Sequence, residues 1–289
     1  MDIISAWLQF LISAALVVAG GHLLARYGKE LADRRGLSEI WIGFIFLAAV
    51  TSLPELATAV GAVTVAEAPA LALSDILGSN AFNLFIIALL NLTIAGWTVT
   101  ARLRLRSFRD LFLITAVMSV ILLAGMLVGR HRDLPLLFDI SPFSILILIL
   151  YLGGAWKLFR NEKNQPELPL YESAERIPAG RLYRNLTIAV VMVVIGGFWL
   201  AYSGRLIAEV TRWGEGFVGA LFLALVTSLP EVAVCLAAAR IGAAEMAVGN
   251  ILGSNIFNLG IVFWADLFWR KGTVLTAADA SVFEAGGLS

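Results

Sequence analysis

Long apolar stretches alternate with short polar ones along most of this chain. A helix of about 20 apolar residues crosses the roughly 30 Å hydrocarbon layer of a membrane and satisfies its own backbone hydrogen bonds there. The pattern therefore predicts an all-α, polytopic membrane protein with eight spanning helices. The apolar runs of spanning length lie at about 6–25, 38–65, 69–96, 108–129, 138–159, 185–208, 215–239 and 243–268.

The eight predicted spans divide into two unequal groups. Residues 1–160 hold five of them, and residues 185–289 hold three, because the final stretch 270–289 is too polar to cross a membrane. Between the groups, the polar stretch 161–184 contains three prolines and is expected to be a flexible cytoplasmic linker. The second, third, seventh and eighth runs are each interrupted by Gly, Pro, Ser or Asn at corresponding places.

Composition strengthens the membrane assignment. Hydrophobic residues make up 60% of the chain and charged residues only 15%, against about 25% charged in soluble domains. The net charge is zero, so no overall field favours nucleic acid as a partner. The single cysteine excludes an intramolecular disulfide. No nucleophile–base pair and no phosphate-binding glycine loop is evident, so neither an enzyme nor a bound cofactor is expected, and no obligatory protein partner is indicated.

The distribution of basic residues predicts the orientation. If the N-terminus lies outside, 15 of the 21 Lys and Arg residues fall in the inner loops and the central linker, as the positive-inside rule prefers. A multi-pass protein of the plasma (inner) membrane is therefore expected. The same basic clusters could alternatively bind anionic lipid.

An internal repeat is the main signal in the sequence. Residues 43–55 read GFIFLAAVTSLPE and residues 219–231 read GALFLALVTSLPE, an offset of 176. Residues 75–84 read DILGSNAFNL and residues 250–259 read NILGSNIFNL, an offset of 175. Five spans separate the two copies, and since five is odd, the copies cross the membrane in opposite directions. Inverted repeats of this kind place the binding sites of secondary transporters at mid-membrane on discontinuous helices.

The TSLPE motif suits cation binding at that depth. Pro54 has no N–H and clashes with the carbonyl group of Val50, so the helix is expected to loosen there and free carbonyl oxygens. Hydroxyl and carboxylate oxygens flank this break. They belong to Thr51, Ser52 and Glu55 in the first copy and to Thr227, Ser228 and Glu231, beside Pro230, in the second.

Electrostatics supports the same interpretation. A carboxylate at the bilayer centre costs at least about 2.5 kcal/mol, and two at the same depth also repel each other. A cation between them relieves both penalties, and a charge of −2 is matched by one Ca²⁺ or two Na⁺. The GSN motifs add neutral oxygen donors on one helix face, and such hard donors favour Na⁺, Ca²⁺ or Mg²⁺ over Zn²⁺ or Cu²⁺. These donors are Ser79, Asn83, Ser254 and Asn258.

Other polar residues have plainer interpretations. A proline kink beside Thr and Ser is usually structural in a membrane helix, and Asn80 and Asn255 are expected to bond helix to helix. Asp75, which aligns with Asn250, is interpreted as a vestibule charge or a local structural partner and is not counted as a ligand. Several acids fall near span ends and are expected to be solvated, namely Glu67, Glu209, Glu245 and Asp266.

With its paired TSLPE and GSNxFN motifs, the sequence resembles the sodium/calcium exchanger branch of the cation/calcium antiporter superfamily, in a microbial form without regulatory domains. The resemblance implies a diamond-shaped site built by two broken helices from each repeat. Its implied ligands, all for transported Ca²⁺ and Na⁺, are Glu55, Glu231, Thr51, Thr227, Ser52, Ser228, Ser79, Ser254, Asn83, Asn258 and the backbone carbonyls of Ala48 and Ala224.

The resemblance also implies a motion and shows two departures. In such exchangers the first and sixth helices slide past a rigid core, which Gly20, Gly21, Gly196 and Gly197 would suit. Potassium-dependent members carry an acid at a GSNxxN asparagine, whereas both positions here are Asn, which argues against K⁺ transport. The family usually has ten spans, so the ninth and tenth are expected to be missing.

Three functions remain open. Na⁺/Ca²⁺ antiport by alternating access is preferred. H⁺/Ca²⁺ exchange is the next alternative, because a pair of glutamates can also carry protons. A non-transporting or channel-like membrane protein is the third, if the two absent helices are essential.

Overall fold

A computed structural model describes residues 3–93, 105–131, 134, 136, 137, 140–163, 177–211, 222 and 224–277. Helices dominate this part of the chain, and its only β pairing is an isolated bridge between Leu137 and Ile140. The helices are α1 (Ile3–Arg35), α2 (Glu39–Thr51), α3 (Leu53–Thr64), α4 (Pro69–Thr93), α5 (Leu105–His131), α6 (Pro142–Lys163), α7 (Ala179–Thr211), α8 (Leu229–Arg240), α9 (Ala244–Phe268) and the short α10 (Val274–Ala277).

The membrane-spanning architecture is confirmed. Six helices in the described residues are long and apolar enough to cross a membrane, and α2 with α3 forms a seventh, bent span. These correspond to seven of the eight predicted runs. In the remaining run, 215–239, the structure describes residue 222 and the portion from 224 onward, and the rest of its beginning lies outside the described residues.

Two of the four interrupted runs are broken, and both contain the TSLPE proline. α2 and α3 meet at an angle of 42°, with Ser52 between them at φ −92° and ψ 9°. Ser228 takes nearly the same conformation, φ −83° and ψ 4°, directly before α8. The matching backbone at Ser52 and Ser228 shows that the two copies of the motif fold alike.

The other two interrupted runs, α4 and α9, are continuous helices, so the four broken helices implied by the resemblance are not observed. The physical reason is that Gly, Ser and Asn keep their backbone N–H and can continue the hydrogen-bond ladder, whereas proline cannot. No feature of the sequence predicted that Ile42–Leu47, in the middle of α2, would form a π-helix.

Helix α9 is the centre of the bundle and contacts α2, α4, α5, α6 and α8. Its crossing with α2 is so close that backbone touches backbone. A methyl group at Gly253 would lie 2.5 Å from the carbonyl oxygen of Phe44, and one at Gly43 would lie 2.3 Å from that of Met246. Gly253 of the second GSN motif and Gly43 therefore act as packing residues that bring α2 and α9 together.

Helices α1 and α7 pack along each other and form the other part of the molecule. Their glycines lie at close contacts, as expected for the first and sixth spans. A methyl group at Gly20 would lie 2.8 Å from Met192 Cβ, and one at Gly196 would lie 2.9 Å from Val17 Cγ2.

The predicted linker is partly helical. α6 continues to Lys163 and α7 begins at Ala179, so both helices extend into the interval 161–184. Residues 164–176 lie outside the described residues. The division of the chain into two repeats at this linker stays a prediction.

The expectation that Asp266 is solvated is wrong. Asp266 is only 1% exposed. Its carboxylate accepts hydrogen bonds from the backbone N–H groups of Ser141 at 2.7 Å and Val274 at 2.9 Å. Both N–H groups lie at helix starts, where no intrahelical acceptor exists. Asp266 thereby ties the end of α9 to the start of α6 and to α10, in the segment after the last span.

The α2–α9 crossing predicts how a substitution at Gly253 behaves. Gly253→Ala should lower the free energy of unfolding by about 1–3 kcal/mol, because backbone atoms must move apart to admit the methyl group. Denaturant unfolding in detergent micelles would measure the loss. Gly61→Ala is the matched control, since a methyl group there meets nothing within 4 Å. Equal stability of the two variants would contradict the close crossing.

Candidate functional site

The side chains singled out in the two motifs converge in the interior of the bundle. The two copies approach from α2–α3 with α4 and from α8 with α9, and each predicted residue is at most 3% exposed. The set comprises Glu55, Glu231, Thr51, Thr227, Ser52, Ser228, Ser79, Ser254, Asn83, Asn258, Ala48 and Ala224.

Two contacts between the repeats reflect their internal symmetry. The Thr51 hydroxyl lies 3.3 Å from the Ser254 hydroxyl. At the symmetry-related position, the Ser79 hydroxyl lies 3.5 Å from the Thr227 hydroxyl. Each threonine beside a helix break thus meets the serine of the opposite repeat's GSN motif, which joins the two motifs into one site.

Glu231 is held by hydroxyl groups from both repeats. Ser52 donates to Glu231 Oε1 at 2.9 Å, and Ser254 donates to the same oxygen at 3.1 Å. Ser52 is the residue at the α2–α3 break, so this bond links the break in the first repeat to the carboxylate of the second. The other oxygen, Oε2, is buried and has no hydrogen-bond partner.

Glu55 is different, because both of its carboxylate oxygens are buried without a partner. Its counterpart contact from Ser228 is also absent, and the Ser228 hydroxyl is itself unpaired. Glu231 lies near enough to act on Glu55 by like-charge repulsion. Buried polar atoms are rarely left unpaired, because each lost bond costs about 1–3 kcal/mol and more for a charged group. The site therefore presents unsatisfied carboxyl oxygens in the protein interior.

Neutral acceptors surround these carboxylates in the same unpaired condition. The side-chain oxygens of Asn83 and Asn258 are buried and have no hydrogen-bond partner. Among the described residues, no three His, Cys, Asp or Glu side chains cluster as a metal site. Any cation held here would therefore depend on two carboxylates supplemented by amide and hydroxyl oxygens, a hard donor set.

The carbonyl groups expected to line the site are already engaged. Ala48 O accepts the backbone N–H of Ser52 at 3.0 Å and the Thr51 hydroxyl at 3.3 Å. Ala224 O accepts the equivalent groups, Ser228 N–H and the Thr227 hydroxyl, both at 3.2 Å. The helix breaks thus free fewer carbonyl oxygens than expected. Pro54 supplies no N–H to the carbonyl group of Val50, but the turn before it keeps its hydrogen bonds.

A pair of aligned residues makes the two repeats unequal. The Thr51 hydroxyl contacts Asn250 Oδ1 at 3.4 Å. In the other repeat the position of Asn250 is taken by Asp75, whose Oδ2 accepts the Thr58 hydroxyl at 2.9 Å and whose charge also acts on Glu55. Asp75 is therefore a local structural partner, one of its two expected roles, and it adds a third carboxylate next to the site. The alignment of Asp75 with Asn250 in the sequence repeat already indicated that these two residues occupy equivalent positions.

The GSN asparagines serve partly as expected. Asn80 donates to the backbone carbonyl of Asn255 at 3.3 Å, a direct bond between α4 and α9. The side chain of Asn255 is fully buried, and neither of its polar atoms has a hydrogen-bond partner. The prediction of a helix-to-helix bond is met by the Asn80 side chain and by the Asn255 backbone only.

Comparison with known proteins identifies the class of molecule to which this bundle belongs. The family model described as sodium/calcium exchanger protein matches residues 5–157 and 185–267. The chain belongs to this family of membrane transporters.

Individual relatives agree with that assignment. The chain is 27% identical over 252 residues to the inner membrane protein YrbG of Escherichia coli, which covers 87% of this chain and 76% of that protein. It is 25% identical over 307 residues to the sodium/calcium exchanger MaX1 of Methanosarcina acetivorans, covering 96% and 86%. The putative antiporter CaxA of Alkalimonas amylolytica is also 25% identical, over 276 residues, covering 93% and 82%.

Solved structures share the fold. A structure of the sodium-calcium exchanger NCX_Mj superimposes with a TM-score of 0.69 at 20% identity, covering 96% of this chain and 87% of that one. A second structure of the same exchanger, soaked with Na⁺ and Ca²⁺, gives 0.67 at 21% identity, covering 100% and 92%. The chain therefore shares the all-helical fold of this exchanger.

The bond from Thr58 to Asp75 yields a stability prediction. Thr58→Val should lower the free energy of unfolding by about 1.5–3 kcal/mol, the usual contribution of a hydrogen bond to a carboxylate. Thr64→Val on the same helix is the control, because the exposed Thr64 hydroxyl bonds only to the Val60 carbonyl of its own helix. Chemical denaturation of both variants would measure the difference. If Thr58→Val is no less stable than the control, Asp75 is not anchored in this way.

Proposed function

We propose that this protein exchanges Na⁺ for Ca²⁺ across the membrane by alternating access, with both ions competing for the site around Glu55 and Glu231. The observation that carries this proposal is the pair of fully buried glutamates, one from each repeat, that between them have three unpaired carboxylate oxygens. Membership in the sodium/calcium exchanger family supports it, as do the relatives named as exchanger and antiporter.

Charge balance explains why the two ions would exclude each other. One Ca²⁺ neutralises both carboxylates, and so do two Na⁺, so the same site is neutral with either load. A site left empty retains two repelling carboxylates away from water, at a cost of several kcal/mol. The loaded site is therefore the form most readily moved from one side of the membrane to the other, and obligatory exchange follows.

In this proposal Thr51 and Thr227 supply oxygens to Ca²⁺. The four serines, with the backbone carbonyls of Ala48 and Ala224, line the flanking Na⁺ positions, and Asn83 and Asn258 complete the middle of the site. Helices α1 and α7 would slide across the helices that carry the site. Their position suits that role, because Gly197 on α7 faces both helix breaks. A methyl group there would lie 2.5 Å from Pro54 Cγ and 3.6 Å from Pro230 Cγ. Movement of α7 would therefore change its contacts with both helix breaks at the same time.

We further propose a plasma (inner) membrane location with the N-terminus outside. The named location of the Escherichia coli relative supports the first part, and the distribution of basic residues supports the second.

Neutralising either buried carboxylate should abolish exchange. Glu55→Gln and Glu231→Gln each leave only one of the two glutamate carboxylates to bind Ca²⁺, so Na⁺-driven ⁴⁵Ca²⁺ uptake into proteoliposomes should fall about 100-fold. Glu209→Gln is the control, because Glu209 is exposed and pairs only with Arg205. Unchanged uptake in either buried variant, with normal insertion, would overturn the site assignment.

The coupling ion is tested with the intact protein. In proteoliposomes, a Na⁺ gradient directed outward should drive ⁴⁵Ca²⁺ inward against its own gradient, and reversing the Na⁺ gradient should reverse the flow. A pH gradient alone should give no accumulation. Uptake driven only by the pH gradient would replace Na⁺ with H⁺ as the coupling ion, and downhill flow insensitive to both gradients would indicate a channel.

A further inference from the structure

An apolar groove runs along the outer side of α2, beside the end of α1. Its floor is formed by Ile45, Phe46 and Ala49, and it continues to Leu53 at the start of α3. Its volume is about 640 Å³, within the roughly 300–1,000 Å³ typical of small-molecule sites. The groove is lined almost entirely by carbon atoms, so its natural occupant is a hydrocarbon chain.

The length of the groove matches one leaflet of the bilayer. From Trp41 to Leu53 the helix rises by about 18 Å at about 1.5 Å per residue. Half of the roughly 30 Å hydrocarbon layer is about 15 Å. A single acyl chain of a lipid that starts at the Trp41 end would therefore reach the α2–α3 break. Trp41 suits the headgroup level, where tryptophan is enriched in membrane proteins.

A lipid in this groove would also need a polar partner for its headgroup at the membrane surface, and Arg35 lies at that position. This residue lines the same end of the groove and is exposed. It donates a hydrogen bond of 2.6 Å to the Tyr183 hydroxyl, a neutral group. Its neighbour Arg34 bonds instead to the Glu30 carboxylate at 3.1 Å. Within the described part of the chain, Arg35 has no carboxylate partner, so its positive charge remains available to an anion.

We propose that this groove binds one anionic phospholipid, with the phosphate at Arg35 and one acyl chain lying along α2. The planar guanidinium group can bond two phosphate oxygens at once. The Tyr183 hydroxyl accepts from Arg35 and so keeps its own proton to donate to the same phosphate. The acyl chain would lie against Ile42–Leu47, the π-helical part of α2, and cover the half-buried side chains of Ile45 and Phe46. The proposal stands independently of which ions the protein exchanges.

Native mass spectrometry of the purified full-length chain tests this directly. The protein is titrated in detergent with phosphatidylglycerol and phosphatidylcholine that carry identical acyl chains. We expect one retained phosphatidylglycerol per protein, at least fivefold preferred over phosphatidylcholine. Arg35→Gln should reduce the preference to nearly one, because the acyl groove remains and the phosphate contact is lost. Ala49→Phe should reduce retention of both lipids at least fivefold, because it fills the groove.

Matched controls separate the groove from general effects. Arg26→Gln removes the same charge from the exposed side of the same helix, and Ala15→Phe adds the same ring to an exposed position on α1. Both should behave like the parent protein. If Ala49→Phe is poorly folded by its thermal melting curve, Ile45→Trp fills the groove from the adjacent position. Unchanged lipid preference in Arg35→Gln, or unchanged retention in the filled variants, would overturn the proposal, as would a lipid-free dimer that Ala49→Phe dissociates.

Discussion

The central constraint on this molecule is the burial of two carboxyl groups, one from each repeat, in a single site. Glu55 and Glu231 are completely buried, and together they leave three oxygens without a hydrogen bond. Such an arrangement is unstable unless something positive compensates for it. In the exchange we propose, the transported cation supplies that positive charge.

The two carboxylates are nevertheless not equivalent. Glu231 accepts hydroxyl groups from Ser52 and Ser254 on one oxygen, whereas Glu55 accepts none. The asymmetry coincides with the exchange of Asn250 for Asp75, which places an additional negative charge on the side of Glu55. In this conformation, the Glu231 carboxyl is held by hydrogen bonds, whereas the Glu55 carboxyl has none. In the exchange we propose, this difference would let Glu231 hold the ion and Glu55 release it.

The sequence predicted most of this architecture, and its errors are informative. Proline gave the two helix breaks correctly because its missing N–H cannot be replaced. Glycine, serine and asparagine suggested two further breaks that do not exist, because those residues continue a helix when neighbours hold it. Gly253 and Gly43 were instead needed where α9 meets α2 backbone to backbone. Asp266 was misassigned because its position near a span end says nothing about the N–H groups of Ser141 and Val274 that approach from distant parts of the chain.

What no local pattern could supply was the pairing between the repeats. The offsets of 176 and 175 showed that the motifs correspond, yet only the folded bundle shows that Ser52 of one copy reaches the glutamate of the other. This bond connects a helix break directly to a buried carboxylate of the opposite repeat. In the exchange we propose, a cation bound at Glu231 would displace the Ser52 hydroxyl, and the break would lose one restraint on the angle between α2 and α3. A single side chain, that of Ser52, would then connect ion binding with helix movement.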